Sequence, residues 1–377
     1  MDNAVVVIPD GEARIALMRI LPFENPSDEN PKDSDCNGFP LYRYDNIRTL
    51  VIPESINIPH NDDGLSPFAS HEQHPFVWNH PVKCRKIHID NIENHSPHLT
   101  VEDGVLYSAD KSRLIFCFEE KISFVVPQSV TAIEPFAFCQ QRNLREILLH
   151  DGIVSFGDSS FMGCDALKEI VIPPKIAYIP CSCFEECKSL SDVQLPPCLK
   201  TIGYAAFRNC RMLKNLHLPI TLRELSGFDG CSSLREIEIP AGVERITGFI
   251  FCCNLRKVRL HIGVKRIDDY AFRYCDKLRY INFPDGLEYI GARAFYPSSI
   301  HRAVFPDSLR EIGDEAFYYN SKLSSLSFAS KDINIGASAF ACCSRLFRMF
   351  IHKPKGMKIS EKVFDQDKSL DKFGFWD

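Results

Sequence analysis

The sequence predicts a repeat solenoid, a stack of coils that each contribute a short strand to a parallel ladder. Three observations predict it. Phe recurs at 138, 161, 184, 207, 228, 249, 272, 295, 317, 340 and 364, which is 11 copies, mostly 23 residues apart and 21 apart before Phe228 and Phe249. Each Phe is followed by a fixed apolar pattern, as in Phe161…Cys164…Leu167-Lys168-Glu169-Ile170-Val171-Ile172-Pro173. A second half-unit then places apolar residues three and six positions after the Pro, as at Ile176 and Ile179. One such unit cannot bury its apolar face alone, so neighbours stack, and stacked repeats build long surfaces rather than catalytic clefts.

Each element follows from its local pattern. Ile170-Val171-Ile172 and its equivalents alternate with period two and read as a strand, and the Pro that follows cannot donate to a ladder and ends it. The stretch before Phe, such as Gly291-Ala292-Arg293-Ala294-Phe295, is too short for a stable free helix, so one turn of helix or 3₁₀ is expected there. Phe249, not Phe251, is the repeat position, because it returns Cys252, Leu255, Val258 and Leu260 to their offsets. The coil that begins at Phe295 has lost one residue near Pro297-Ser298-Ser299, so Ile300, Ala303 and Phe305-Pro306 each come one place early.

Three signatures in these coils, Leu-x-x-Ile-x-Ile-Pro, Ile-Gly-x-x-Ala-Phe and Phe-x-x-Cys-x-x-Leu, resemble the leucine-rich repeat of the BspA-like variety. Asp103-Gly104-Val105-Leu106-Tyr107-Ser108, with Ser112 to Ile115 and Val126 to Val130, is similar to that family too. The resemblance implies a leucine-rich-repeat horseshoe, with short parallel strands on the concave face and short helical or 3₁₀ turns on the other. It also implies protein interaction, in some members adhesion to a host matrix or host cells.

Residues 99–377 form the regular solenoid of about 11 units. Residues 1–98 read as degenerate, loop-decorated repeats that cap it, as terminal repeats must. Val6-x-Ile8, Ile47-x-x-Leu50-x-Ile52 and Cys84-x-x-Ile87-x-Ile89 each match the strand half of the unit. An independent small domain is the alternative for this segment. Residues 22–40, rich in Pro and acids, read as an exposed loop.

Composition removes several function classes. Apolar residues make up 45% of the chain, no 18-residue apolar run spans a membrane, and a net charge of −5 argues against nucleic-acid binding. The N-terminus lacks a basic segment followed by a long apolar one, so no signal peptide is expected. Together with 16 Cys read as mostly unpaired, this points to the cytoplasm, while the family resemblance implies a surface or secreted location.

Seven of the Cys share one slot, at 164, 187, 210, 231, 252, 275 and 343, where Gln141, Ser298, Asn320 and Asp367 stand in other coils. A ladder of small buried residues is the expected reading, because stacked coils hold Cβ vectors parallel and a disulfide needs them facing. Cys181, Cys183 and Cys187 lack a second Cys/His pair at zinc spacing. His60, His71, His74, His80, His88, His95 and His98 crowd one segment with Asp62, Asp63 and Cys84. Solvated loop histidines are expected, and a zinc site carried by segment 60–98 is the alternative. No phosphate-binding Gly loop and no nucleophile-elbow motif occurs, so no enzyme, cofactor or metal is expected.

The candidate site is therefore a surface. Alternation turns the middle strand residue outward: Leu148, Val171, Gln194, His217, Glu238, Arg259, Asn282, Val304, Ser327 and Phe350. Beside them stand Glu146, Glu169, Asp192, Asn215, Glu236, Lys257, Tyr280, Arg302, Ser325 and Arg348. The first half of these columns is acidic and the second basic. Ordinary solvated side chains are one reading, and a charge-graded groove for a protein or peptide partner is the other. At the C-terminus a monomeric end covered by Trp376 is expected, with end-to-end dimerisation through Phe373, Phe375 and Trp376 as the rival.

Overall fold

A computed structural model describes residues 4–7, 23–24, 46–56, 83–84, 88–346, 351–357 and 359–364. The chain divides into two units, Met1–Asp165 and Ala166–Asp377.

In the first unit, Ala4–Val7, Asn46–Ile52 and His88–Asn94 form a three-stranded parallel sheet with the middle strand at its centre. Val6 lies opposite Leu50, as the sequence pattern expects. The next strand departs from that pattern. Ile89 pairs with Ile47 and Ile92 with Leu50, so the strand is 88–94 rather than 84–89. Ile89 and Ile92 keep the three-residue spacing of Ile47 and Leu50, and this later pair takes the ladder. An antiparallel meander follows, made of Leu99–Glu102, Val105–Ser108 and Arg113–Cys117. Its first turn is Asp103-Gly104, with φ of 46° and 68°, and two positive φ values in a two-residue loop match the right-handed twist of a hairpin. The last meander strand pairs in parallel with Ala132–Ile133, and that pair with Ser155–Phe156. Ser123–Val125 pairs in parallel with Glu146–Leu148. The Phe138 and Phe161 rings stack 5.4 Å apart with planes 3° from parallel.

The second unit is a run of coils. Expected strands appear at Glu169–Val171, Asp192–Gln194, Glu236–Glu238, Lys257–Arg259, Tyr280–Ile281, Arg302–Phe305, Ser325–Phe328 and Ile351–His352, paired in parallel wherever they pair. Ala303 and Phe305 are buried opposite Leu326 and Phe328, which fits the one-residue loss read near Pro297. A second ladder runs through the other half-unit in two parallel sheets, one of Tyr178–Ile179, Thr201–Ile202 and Glu224–Leu225, the other from Arg245–Ile246 to Asn334–Ile335. Its strands are two residues long, too short for alternation to register in the sequence.

The Phe side chains form the axis of this unit. Phe184, Phe207, Phe228, Phe249, Phe272, Phe295, Phe317 and Phe340 are fully buried. Successive ring centroids lie 4.8 to 5.5 Å apart with planes within 20°. Phe251 is 53% exposed and lies outside this column, so the register read at Phe249 holds.

The expected helical turn before each Phe is replaced by something else. Ser182, Phe184 and Glu186 donate their N–H groups to Tyr204, Ala206 and Arg208 in the next coil. Cys183, Glu185 and Cys187 donate theirs back three residues, to Pro180, Ser182 and Phe184. The alternation puts Ser182 and Glu186 in the left-handed region, at φ of 53° and 61°. A helix would satisfy every N–H within its own coil, whereas here half of them join neighbouring coils. Among the described residues only Glu361–Phe364 is 3₁₀ helix. The two coils shortened to 21 residues omit the first left-handed residue. Gly227 and Gly248 close them at φ of 93° and 79°, and a Cβ on Gly227 would sit 2.4 Å from the Ala206 nitrogen.

Candidate functional site

The first ladder sorts side chains as the alternation requires. In the second unit Ile170, Val193, Leu216, Ile237, Val258, Ala303 and Leu326 point inward and are buried. Glu169, Asp192, Glu236, Glu238, Arg259, Tyr280 and Arg302 are exposed, and Lys257 is half-buried. In the first unit Glu146 and Leu148 are exposed opposite Ser123 and Val125. Arg348 and Phe350 lie outside the described residues.

The acid-to-base change along these columns is largely self-paired where it occurs. Lys257 Nζ lies 3.8 Å from Glu236 Oε2, and Arg259 Nη1 lies 3.8 Å from Glu238 Oε2, each across one coil. Such exposed pairs add little stability, but they mute the gradient offered to a partner. Asp192 accepts a hydrogen bond from Ser191 Oγ at 2.6 Å. Asn282 turns its amide to the backbone: Nδ2 donates to the Leu260 carbonyl at 2.7 Å and Oδ1 accepts from the Leu260 N–H at 2.8 Å. It thereby continues the ladder where the strand Tyr280–Ile281 stops. Exposed Val171, Tyr280 and Val304 are left as apolar contacts on this face, Tyr280 at 67% exposure.

The cysteine slot is a donor position. Cys210, Cys231, Cys252 and Cys275 are buried free thiols. Their Sγ atoms donate to the carbonyls of Phe184, Phe207, Phe228 and Phe249, each in the preceding coil, at 3.1 to 3.2 Å. Those carbonyls also accept an N–H from the residue three on, as Cys210 to Phe207 at 3.1 Å, so the thiol fills the second lone pair. Asn320 Nδ2 serves the Phe295 carbonyl in the same way at 2.8 Å. Burial pushes all four thiols well above their ordinary pKa, which keeps them protonated and poor ligands or nucleophiles. Their free state thus follows from packing, and it does not support a cytoplasmic location.

Among the described residues no group of three or more His, Cys, Asp or Glu is placed to hold a metal ion. His60, His71, His74 and His80, which carried the zinc alternative, lie outside the described residues, as do Phe373, Phe375 and Trp376. No helix of the described residues is long and apolar enough to cross a membrane.

Two further features went unread in the sequence. One is a buried ionic link across coils, at the residue just after the repeat Phe. Arg208 Nε donates to Glu185 Oε1 at 2.6 Å, and the two side chains are 17% and 5% exposed. Burial disfavours the Arg208 charge, but Glu185 more than offsets this and the pKa ends above the ordinary value. Burial also raises Asp229 in the next coil, against the pull of the Ile250 N–H and Arg208. Charges of alternating sign at 185, 208 and 229, one coil apart, were the available signal. The other is an aromatic run beside the same turns. Phe251 stacks on Tyr274 at 4.7 Å, followed by Tyr296 and Tyr318 at 5.7 and 5.4 Å, with Arg273 lying 4.7 Å over the Tyr274 ring.

Comparison with known proteins places this architecture. The family model described as BspA type leucine-rich repeat region matches in 6 copies, over residues 114–227, 224–253 and 249–371. A leucine-rich repeat protein from Bacteroides ovatus is 29% identical, with a TM-score of 0.58 over 66% of this chain and 67% of its own. A leucine-rich cell surface protein from Faecalibacterium prausnitzii is 20% identical, with a TM-score of 0.42 over 73% of this chain and 82% of its own. The T. pallidum leucine-rich repeat protein is 20% identical, with a TM-score of 0.37 over 67% of this chain and 92% of its own. No curated protein matches the chain.

Proposed function

This chain belongs to the BspA-type leucine-rich repeat family, and we propose that it is a non-catalytic module that binds a protein or peptide through the outward columns of its first strand ladder. One observation carries the reading. Inward positions are held to apolar residues in coil after coil, while the outward positions beside them are mostly exposed and mix acidic, basic, polar and aromatic side chains. Packing fixes the first set, so the second is free to be selected for a partner. Tyr280 and Arg302, exposed and of the residue types richest in binding hot spots, are the proposed anchors. Glu169, Asp192, Glu236, Glu238, Lys257 and Arg259 complete the proposed surface in the second unit.

Curvature that makes this face concave belongs to the same proposal, as do the adhesion or host contact that the family resemblance implies and the capping role of residues 1–98. The parallel pairing of Ala4–Val7, Asn46–Ile52 and His88–Asn94 supports the cap. The test is affinity capture from the native cell with the wild type and with Tyr280→Ala/Arg302→Ala. A partner bound by the first and lost from the second is expected. Equal capture by both would move the binding surface elsewhere.

A further inference from the structure

Several cations in the second unit are ion-paired. Arg208, Lys257, Arg259, Lys265, Arg245, Arg266 and Arg293 each have a carboxylate within 3.8 Å. Among the cations without such a partner, one column is set apart by its regular spacing. Lys214, Arg235, Arg256 and Arg279 stand in four consecutive coils, each one residue before the outward pair of its strand. All four are exposed, and among the described residues none has a carboxylate at ion-pair distance. Backbone bonds set the spacing: the Arg256 N–H donates to the Arg235 carbonyl at 2.7 Å, and the Arg279 N–H to the Arg256 carbonyl at 3.0 Å. Arg235, Arg256 and Arg279, beside paired parallel strands about 5 Å apart, repel one another. Nothing in the fold uses them, since no side-chain hydrogen bond ties any of them down.

We propose that this column reads an acidic segment of the protein partner, with successive guanidinium groups clasping Asp or Glu carboxylates. The proposal deepens the strand-face reading and rests on it. Guanidinium forks match carboxylates in two-point geometry. Tyr280 follows Arg279 directly and is 67% exposed, offering a flat apolar contact beside the charges. A continuous phosphate or sulfate polymer fits less well. The chain is negative overall, at −5, and Glu236 and Glu238 lie on the same strand that follows Arg235. A peptide can set its carboxylates on the column and its neutral groups against those acids, whereas a uniformly charged polymer meets both signs.

The test uses the full chain and a short fluorescent oligo-glutamate peptide, followed by anisotropy at low salt. Binding is expected, and Arg235→Ser/Arg256→Ser/Arg279→Ser should weaken it by roughly tenfold or more. The control Arg245→Ser/Lys265→Ser/Arg266→Ser removes the same net charge from the second ladder and should change affinity by less than about twofold. Far-UV circular dichroism checks each fold, and Arg256→Ser alone, at the centre of the column, decides the question if the triple variant unfolds. No binding of the peptide, equal loss in the control, or tighter binding of single-stranded DNA or heparin than of the peptide would each overturn the proposal. Failure here alongside Tyr280- and Arg302-dependent capture of a cellular partner would remove the acidic-segment reading and leave the strand-face reading standing.

Discussion

Replacing Phe249 and Phe251 in turn tests the register of the whole stack, since the two differ by one alternation. Phe249 is fully buried, with the rings of Phe228 and Phe272 at 5.5 and 5.3 Å. Truncation removes a buried ring and opens a cavity between two others, so Phe249→Ala should cost about 3–5 kcal/mol. Both faces of the lost ring were stacked, which places the value in the upper part of that range. Phe251 is 53% exposed and stacks only on Tyr274, at 4.7 Å. Its truncation forfeits one exposed ring contact and little burial, about 1 kcal/mol or less. Urea unfolding followed by circular dichroism measures both. Long repeat arrays lose two-state cooperativity, so hydrogen exchange at the neighbouring coils should accompany the melts. Equal losses, or a larger loss at Phe251, would refute the stacked-Phe core.

Three other outcomes follow from the packing. Cys210, Cys231, Cys252 and Cys275 should resist a thiol reagent near pH 8 in the native protein and react on unfolding, because burial holds them protonated; prompt native labelling would contradict this. Gly227→Ala should cost at least about 2 kcal/mol, since a left-handed residue must accept a Cβ against the Ala206 backbone, and a melt unchanged from wild type would defeat that account of the short coils. Asp229 has its pKa raised by burial, so the folded state binds its proton more tightly than the unfolded state does. Its contribution to stability therefore falls as pH rises from the ordinary carboxylate range through the folded value. Asp229→Asn, which keeps an oxygen for the Ile250 N–H, should be neutral or stabilising at pH 7 and lose that advantage near pH 4, whereas strong destabilisation at pH 7 would show the ionised form to be required.

The sequence carried the parts of the fold that depend on side-chain volume. Phe, Leu and Ile recur because each fills the same buried space in every coil, and even the two short coils and the missing residue near Pro297 were readable by counting. What depends on backbone bonding between coils was not. Left-handed positions fall on Ser182, Tyr270, Arg293 and Glu315, residues with no common turn preference, because a hydrogen bond to the next coil holds each one rather than its own chemistry. The second ladder escaped because two residues cannot display a period. At the candidate face, exposure followed from alternation, but the muting of the charge gradient did not. Glu236 and Glu238 meet Lys257 and Arg259 only because the coils align them, 21 residues apart. The unpaired column at 214, 235, 256 and 279 became visible only once those pairs were assigned.

Fold and function are joined by one claim: inward strand positions are fixed by packing, and outward ones are left to a partner. Saturation substitution at the neighbours Val258 and Arg259, with every variant read for folded yield and for partner capture, tests it most directly. Val258 is 1% exposed and should accept only apolar residues of similar volume, with polar variants failing to fold. Arg259 should accept nearly any residue without loss of fold, and changes there should appear in capture. Polar residues tolerated at Val258, or unfolding on substitution at Arg259, would contradict that division of labour.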